Sequence, residues 1–386
     1  MTKKTGSFWI LATLFAFIIS ACGGDDEAAR AGYNIDQDED NTTVTIDENY
    51  VYKLPVIFHV LYSDRNDKTQ YVDATRLKDI LNNVNEIYQG GIYGQSENVK
   101  VRFVLASVDE NGRQLETPGV EYVRWTDTYP INPYTLMGDN TRKYIRYIWD
   151  PNEYINVLVY HFKSENKNGI TLGVSHMPYS IRGNNTLEGL SIINYPHLSK
   201  GNLSYAYCTS LNTQYINQES SRYTVDKHKS RYTLSLWDIN VTLAHELGHY
   251  LGAFHTFTER DNEAVDSCGD TDYCKDTPSY NKVEYDNYLS QYLLQLSSGQ
   301  PVNPHLLLAR SSCDGQNFQS YNIMDYAVSL GFQISADQKY RMRHVLYYSP
   351  LMPGPKKNGA NRNTRVQEGR NVQEDQPLQL PITTVR

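Results

Sequence analysis

The feature that most constrains this chain is the stretch HELGHYLGAFH at residues 245–255. On a helix, His245 and His249 lie four residues apart, so both imidazoles project from one face and can bind one metal ion. Glu246 lies on the neighbouring flank, where it can reach a metal-bound water without being a ligand. Gly252 can adopt a left-handed backbone and end the helix, which allows His255 to return as a third nitrogen ligand. Three protein ligands leave the fourth position of a zinc ion open, as in catalytic rather than structural zinc sites.

The complete pattern is far more specific than its core. A bare HExxH motif occurs by chance in roughly 5% of chains of this length, whereas adding Gly252 and His255 reduces the chance to about one in ten thousand. The alternative is an amphipathic core helix whose histidines are hydrogen-bonded in the interior, with Leu243, Leu247 and Leu251 as its apolar stripe. Because an active-site helix needs the same stripe as an anchor, the stripe does not weaken the zinc interpretation.

A second motif, YNIMDY at residues 321–326, follows about seventy residues later. An extended zinc motif followed by a methionine turn is the metzincin signature. Together with HTF at 255–257, DYCKDTP at 272–278 and LPVIFHV at 54–60, these residues make the chain similar to the pappalysin-like metalloproteases, in particular their secreted bacterial members. The resemblance covers roughly residues 51–350.

The resemblance implies an α/β (α+β) metzincin-type zincin fold. Its upper subdomain would hold a twisted mixed sheet, a backing helix and the zinc helix, and its lower irregular subdomain the Met-turn and a C-terminal helix. The hydrophobic pattern by itself predicts strands at 54–61, 99–108, 155–162, 170–177 and 190–194. It also predicts a helix over 77–88 capped by Asp73, the zinc helix over 238–251, and a last helix with a capping box formed by Ser335 and Gln338.

The same resemblance implies a zinc-dependent endopeptidase that hydrolyses peptide bonds of protein or peptide substrates through a zinc-bound water, with Glu246 as general acid/base. Tyr326 matches the metzincin tyrosine that supports the oxyanion; a packed core tyrosine is the alternative. Met324 would form an apolar floor beneath the zinc ligands. An edge strand that pairs with extended substrate is matched by Gly173, Val174 and Ser175.

Two other functions stay open. The chain could be a non-catalytic surface lipoprotein that uses this fold to bind protein or glycan, or a zinc hydrolase acting on a non-peptide amide. A binder that had lost catalysis would have no reason to retain Glu246 beside three histidines, Met324 and Tyr326, and this favours the protease.

The beginning of the chain predicts export. Lys3 and Lys4 precede an apolar run at residues 8–21 that is too short to span a bilayer and has the layout of a secretory signal. The run ends ISAC at 19–22, which resembles a bacterial lipobox with Cys22 as the lipidated residue. An ordinary signal peptide is the alternative. We expect a lipid anchor in the membrane of a bacterial cell envelope, at the outer membrane or cell surface.

Composition divides the chain into four segments. They are a lipoprotein signal peptide at 1–21, an acidic flexible tether at 22–50, the metalloprotease domain at 51–350 and a polar tail at 351–386, which is expected to be disordered. The net charge of −8 argues against nucleic acid as a partner.

An acidic loop suggests a second cation. Asp272, Asp276 and Thr277 match positions near a calcium site in related secreted members, and oxygen ligands in a loop suit calcium. The alternative is a solvated loop in which each aspartate caps its own turn.

Four cysteines remain besides Cys22. In an exported protein this even number suggests two disulfides, for which the sequence alone permits three connectivities. The resemblance favours a bridge between Cys268 and Cys313, which leaves Cys208 to pair with Cys274.

Overall fold

The structure, a computed structural model, describes residues 46–163, 170–218, 238–296, 302–325, 330–357 and 378–383. The predicted signal peptide, the lipidation site Cys22 and most of the tether lie outside the described residues, so these features stay predictions. Among the described residues, no helix combines the length and the apolar character needed to cross a bilayer.

Strands form the upper half of the molecule and short hairpins the lower half. The strands are β1 (Tyr52–Tyr62), β2 (Val101–Leu105), β3 (Val120–Arg124), β4 (Ile155–Tyr160), β5 (Gly173–Ser175), β6 (Tyr179–Ile181), β7 (Ser191–Ile193), β8 (Thr209–Asn212), β9 (Glu259–Arg260), β10 (Glu263–Ala264), β11 (Ala309–Ser311) and β12 (Asn317–Gln319). The helices are α1 (Ala74–Gln89), α2 (Pro133–Gly138), α3 (Ile239–Tyr250), α4 (Lys282–Gln295), α5 (Pro304–Leu308) and α6 (Ala336–Tyr348).

The main sheet has six strands in the order β2-β1-β4-β8-β5, with β3 also paired to β1. β2 pairs with residues 52–56 of β1 and β3 with residues 58–62. These pairings are parallel, and so are those of β1 with β4 and of β4 with β8, whereas β5 runs antiparallel to β8. Nearly all of β1 is buried, as expected of a parallel strand covered on both faces. The predicted α/β (α+β) fold with a mixed sheet is confirmed.

The backing helix α1 packs against the zinc helix α3. Asp73 caps α1 as predicted, since its side chain accepts a hydrogen bond from the backbone N–H of Thr75. The apolar face predicted for this helix is buried, and the Tyr88 hydroxyl at its end donates to the backbone oxygen of Ala244 at 2.9 Å. This contact ties the two helices together just before the zinc motif.

The last helix, α6, begins with the predicted capping box. The Ser335 side chain accepts from the Gln338 N–H, and the Gln338 side chain accepts from the Ser335 N–H. Val345 of this helix lies against the turn that ends the zinc helix. The C-terminal helix therefore supports the zinc helix from below.

Two parts of the tail at residues 351–386 lie among the described residues, and both contact the core. Leu351, Met352 and Lys356 are buried directly after α6. Residues 378–383 return to the core, where the Pro381 carbonyl accepts a hydrogen bond from the Tyr179 hydroxyl at 2.6 Å. Apolar side chains spaced within an otherwise polar segment anchor it, which average composition did not reveal.

Candidate active site

The zinc motif lies on α3 and the turn that follows it. Asp238 caps the helix by accepting from the N–H groups of Asn240 and Val241, which satisfies donors that a helix start leaves open. At the other end Gly252 has a φ of +90°, and a Cβ there would lie 2.8 Å from Val345 Cγ2. Both the backbone and the space require glycine, and the chain turns sharply towards His255.

The three histidines converge on one point. His249 Nε2 lies 3.0 Å from His245 Nε2 and 3.0 Å from His255 Nε2. All three side chains are buried. Among the described residues they are the one group of His, Cys, Asp and Glu side chains arranged to hold a metal ion.

The contacts of the Nδ1 atoms decide which ring nitrogen of each histidine carries the proton and which carries the free lone pair. His245 Nδ1 contacts the Ile323 carbonyl at 2.6 Å, and His249 Nδ1 contacts the Ala253 carbonyl at 2.9 Å. His255 Nδ1 contacts a carboxylate oxygen of Glu259 at 2.8 Å. These oxygens only accept, so Nδ1 carries the proton and each neutral ring directs its Nε2 lone pair into the cluster.

This arrangement fits a zinc ion. The Nε2 lone pair of His249 faces those of His245 and His255 at 3.0 Å each, and a cation among the three removes the resulting repulsion. Nitrogen ligands bound at tetrahedral angles to zinc lie roughly 3.3 Å apart, close to the observed separation. Burial lowers the pKa of His245 to about 4, so this ring is neutral and available as a ligand at neutral pH.

Glu246 lies beside the triad, between α3 and the edge strand β5. Its carboxyl group is buried, and Oε2 makes no hydrogen bond within the described residues. Burial raises the pKa of this carboxyl well above its ordinary value. A Cβ at Gly173 would lie 2.7 Å from Glu246 Oε1 and 2.6 Å from Cγ, so the strand passes close because residue 173 has no side chain.

Met324 is buried in a turn that packs against the zinc helix. A Cβ on Gly248 would lie only 2.4 Å from Met324 Sδ, so the missing side chain of Gly248 makes room for the methionine. The neighbouring Ile323 carbonyl accepts from His245, and the Met324 carbonyl accepts from the Thr256 N–H at 3.2 Å. The Met-turn thus contacts both ends of the zinc-binding segment.

The edge strand holds its predicted place at the end of the sheet. Val174 and Ser175 are buried, and Gly173 is partly exposed above Glu246. Tyr326, the candidate for oxyanion support, lies outside the described residues, so its role stays a prediction.

Sequence reasoning missed a buried ion pair below the site. Arg310 Nη2 lies 3.2 Å from Asp325 Oδ2, and both side chains are fully buried. Asp325, the residue after Met324, also accepts from the Tyr280 hydroxyl at 2.5 Å and from the Ser320 hydroxyl. Arg310 lies 60 chain positions beyond the end of the zinc helix, and no local pattern links it to Asp325.

The calcium candidates gain no support from the structure. Thr277 Oγ1 donates to Asp272 Oδ2 at 2.6 Å, and Asp276 Oδ2 accepts from the Asp337 N–H at 3.0 Å. These contacts within the loop and with α6 use the oxygens that a cation would need. Burial raises the pKa of Asp272 to about 7.

The cysteines form one bridge rather than two. Cys268 and Cys313 are joined, and they hold the loop after β10 against the β11–β12 hairpin. The expected pairing of Cys208 with Cys274 is wrong, because both are free buried thiols. Cys208 lies next to β8 in the sheet, where its backbone contacts His176, whereas Cys274 packs beside Asp272 in the loop.

The family model covers the part of the chain that contains the HELGH motif, whereas the solved structures cover 76–77% of the chain. Residues 222–347 match the family model Peptidase_M43, described as pregnancy-associated plasma protein-A. No match was found among the curated proteins.

Several solved structures are similar to this chain. Mature mirolysin of Tannerella forsythia in complex with a cleaved peptide has 19% identity over 76% of this chain and 90% of that chain, with a TM-score of 0.45. Mirolysin in complex with compound 9 has 19% identity over 77% and 92%, with a TM-score of 0.47. A promirolysin mutant of Tannerella forsythia has 18% identity over 77% and 81%, with a TM-score of 0.44.

Proposed function

We propose that the chain is a zinc-dependent endopeptidase with Glu246 as general acid and base, because residues 222–347 match the Peptidase_M43 family model. The observation that carries the proposal is the convergence of three Nε2 atoms beside a buried carboxyl group that has an oxygen without a hydrogen bond in the described structure. A structural zinc site needs no such carboxyl, whereas peptide hydrolysis does.

His245, His249 and His255 would hold the zinc ion. When bound, zinc polarises the carbonyl of the scissile bond and makes water a stronger acid.

Glu246 then moves the proton. Beside a bound cation the carboxyl would be ionised despite its burial, and it would then accept the proton of the attacking water and deliver it to the leaving amine, so that the same oxygen serves first as base and then as acid. Glu246 directly follows His245 in the chain. Its carboxyl has little freedom to move, because Gly173 packs directly against the Glu246 side chain. The close contact restricts the positions that the proton acceptor can take beside His245.

The edge strand β5 supports substrate binding. A strand at the end of a sheet has main-chain groups that can pair with an extended peptide, so recognition needs little from the peptide's side chains. A peptide aligned on Gly173 passes next to Glu246, which brings its backbone to the general base. Proteins and peptides are therefore the substrate class that this geometry suits.

The test is cleavage of casein or gelatin that a chelator abolishes and added zinc restores. Glu246→Gln is expected to keep its zinc and to lose turnover by about 10²- to 10⁴-fold, because the ligands survive and the proton carrier does not. His249→Ala is the matched control, and it should lose the metal itself.

The outcomes separate the candidate functions. A Gln variant that retained more than a few per cent of activity would require a different base. A zinc-loaded wild type that cleaved nothing in a broad peptide library would favour the alternative, a surface lipoprotein that binds protein or glycan.

A further inference from the structure

The third histidine of the cluster is held differently from the other two. His245 and His249 lie on α3 and direct Nδ1 at backbone carbonyls, whose positions do not depend on a side chain. His255 lies in neither a helix nor a strand, and its Nδ1 contacts the carboxylate of Glu259 at 2.8 Å. The side chains of His255 and Glu259 are 5% and 4% exposed, so water does not screen this contact.

We propose that Glu259 is a positioning residue for the metal, which orients His255 and makes its imidazole a stronger zinc ligand. The proposal rests on the proposed zinc site. A carboxylate that accepts the Nδ1 proton fixes the tautomer and increases electron density at Nε2, and loss of such a partner typically weakens metal binding. A neutral carbonyl fixes the tautomer but carries no net charge.

The surroundings of Glu259 hold it in place. β9 and β10 form a tight hairpin in which Asp261 and Asn262 have φ values of +52° and +68°, as a two-residue turn requires. The Glu259 N–H donates to Thr271 Oγ1 at 3.2 Å, which ties β9 to the loop after the hairpin. The same loop contains the disulfide-bonded Cys268.

The imidazole itself is fixed on a second side. The Phe257 ring stacks on His255 with ring centroids 4.7 Å apart and planes 12° apart. Stacking fixes the tilt of the ring but not its rotation within the ring plane, whereas a hydrogen bond to Nδ1 fixes that rotation. Glu259 therefore completes the orientation of a ligand that no helix holds.

The experiment measures zinc affinity, not catalysis. Wild type, Glu259→Gln and Glu259→Ala are titrated with zinc against a chromophoric chelator at neutral pH, and thermal unfolding of each metal-free protein is recorded. The Gln side chain keeps the size and an accepting oxygen but removes the charge. Zinc affinity should fall by about 10-fold in the Gln variant and by up to about 100-fold in the Ala variant, with metal-free stability of the Gln variant unchanged.

Glu263→Gln is the matched control, since Glu263 is exposed on the partner strand of the same hairpin. It removes the same charge a few residues away and should leave zinc affinity at the wild-type value. If Glu259→Gln binds zinc as tightly as wild type, or if the control weakens zinc equally, the proposal is overturned. A wild type that fails to bind zinc would instead overturn the proposed function. If the Ala variant does not fold, the Gln variant decides.

Discussion

Breaking the buried ion pair between Arg310 and Asp325 should destabilise the protein strongly. Both side chains are fully buried, and their charges lie 3.2 Å apart. Arg310→Met leaves the Asp325 carboxylate in the interior without a counter-charge, a change that typically costs 3–5 kcal/mol. Because the Tyr280 and Ser320 hydroxyls still donate to that carboxylate, we expect the lower end, about 3 kcal/mol.

The assay is urea unfolding in excess chelator, so that differences in zinc affinity do not contribute to the free energy of unfolding. Arg310→Met should lower the urea midpoint at an unchanged slope. Lys339→Met is the control, because the Lys339–Glu97 pair is partly exposed and should contribute at most about 1 kcal/mol.

A double-mutant cycle isolates the pair itself. Arg310→Met combined with Asp325→Asn should lose less than the sum of the two single variants, since removing both charges leaves neither one buried alone. Two results would refute the reasoning that this pair supports the Met-turn. One is that the losses of unfolding free energy in the two single variants add up in the double variant. The other is an Arg310→Met variant that is no less stable than the Lys339 control.

Two further predictions concern the upper half of the site. Gly173→Ala should keep zinc but lower turnover by about a hundredfold, since a Cβ there displaces Glu246. Gly138→Ala is the control and should behave as wild type, because nothing lies within 4 Å of a Cβ at that position. Zinc content and turnover are measured for both variants, and full activity of the Gly173 variant would contradict the close contact. Burial lowers the pKa of His176 from 6.5 to about 4. Between pH 6.5 and 4 the imidazole is therefore protonated in the unfolded chain but not in the folded protein. The free energy of unfolding should fall by about 3 kcal/mol as the pH drops through this range. His176→Gln should flatten that part of the stability–pH curve, and parallel curves for variant and wild type would exclude His176 as the cause.

Local sequence patterns determined much of the candidate site. The spacing of His245 and His249 follows from one helical turn, and Gly252 ends the helix because its φ of +90° disfavours other residues. The caps at Asp73 and Ser335 were also readable, since a cap and its partner lie within three residues. These features depend only on residues close in the chain.

The family resemblance also gave predictions for residues far apart in the chain, and these were only partly correct. It led to the bridge between Cys268 and Cys313, which the structure contains, and to a second bridge, which it does not. A disulfide forms only where two strands or loops bring the cysteines close together in space. That two cysteines remain after the first pair is assigned gives no information on the distance between them.

Only the tertiary structure decided the contacts that join distant segments. The approach of Gly173 to Glu246 depends on how β5 lies over α3, and the pair of Arg310 with Asp325 depends on how the β11–β12 hairpin packs under the Met-turn. Glu259 is only four residues from His255, yet its contact depends on a hairpin that turns the chain back. The physical reason is that helix periodicity and capping act over a single turn, whereas burial and charge pairing depend on which surfaces meet when the whole chain folds.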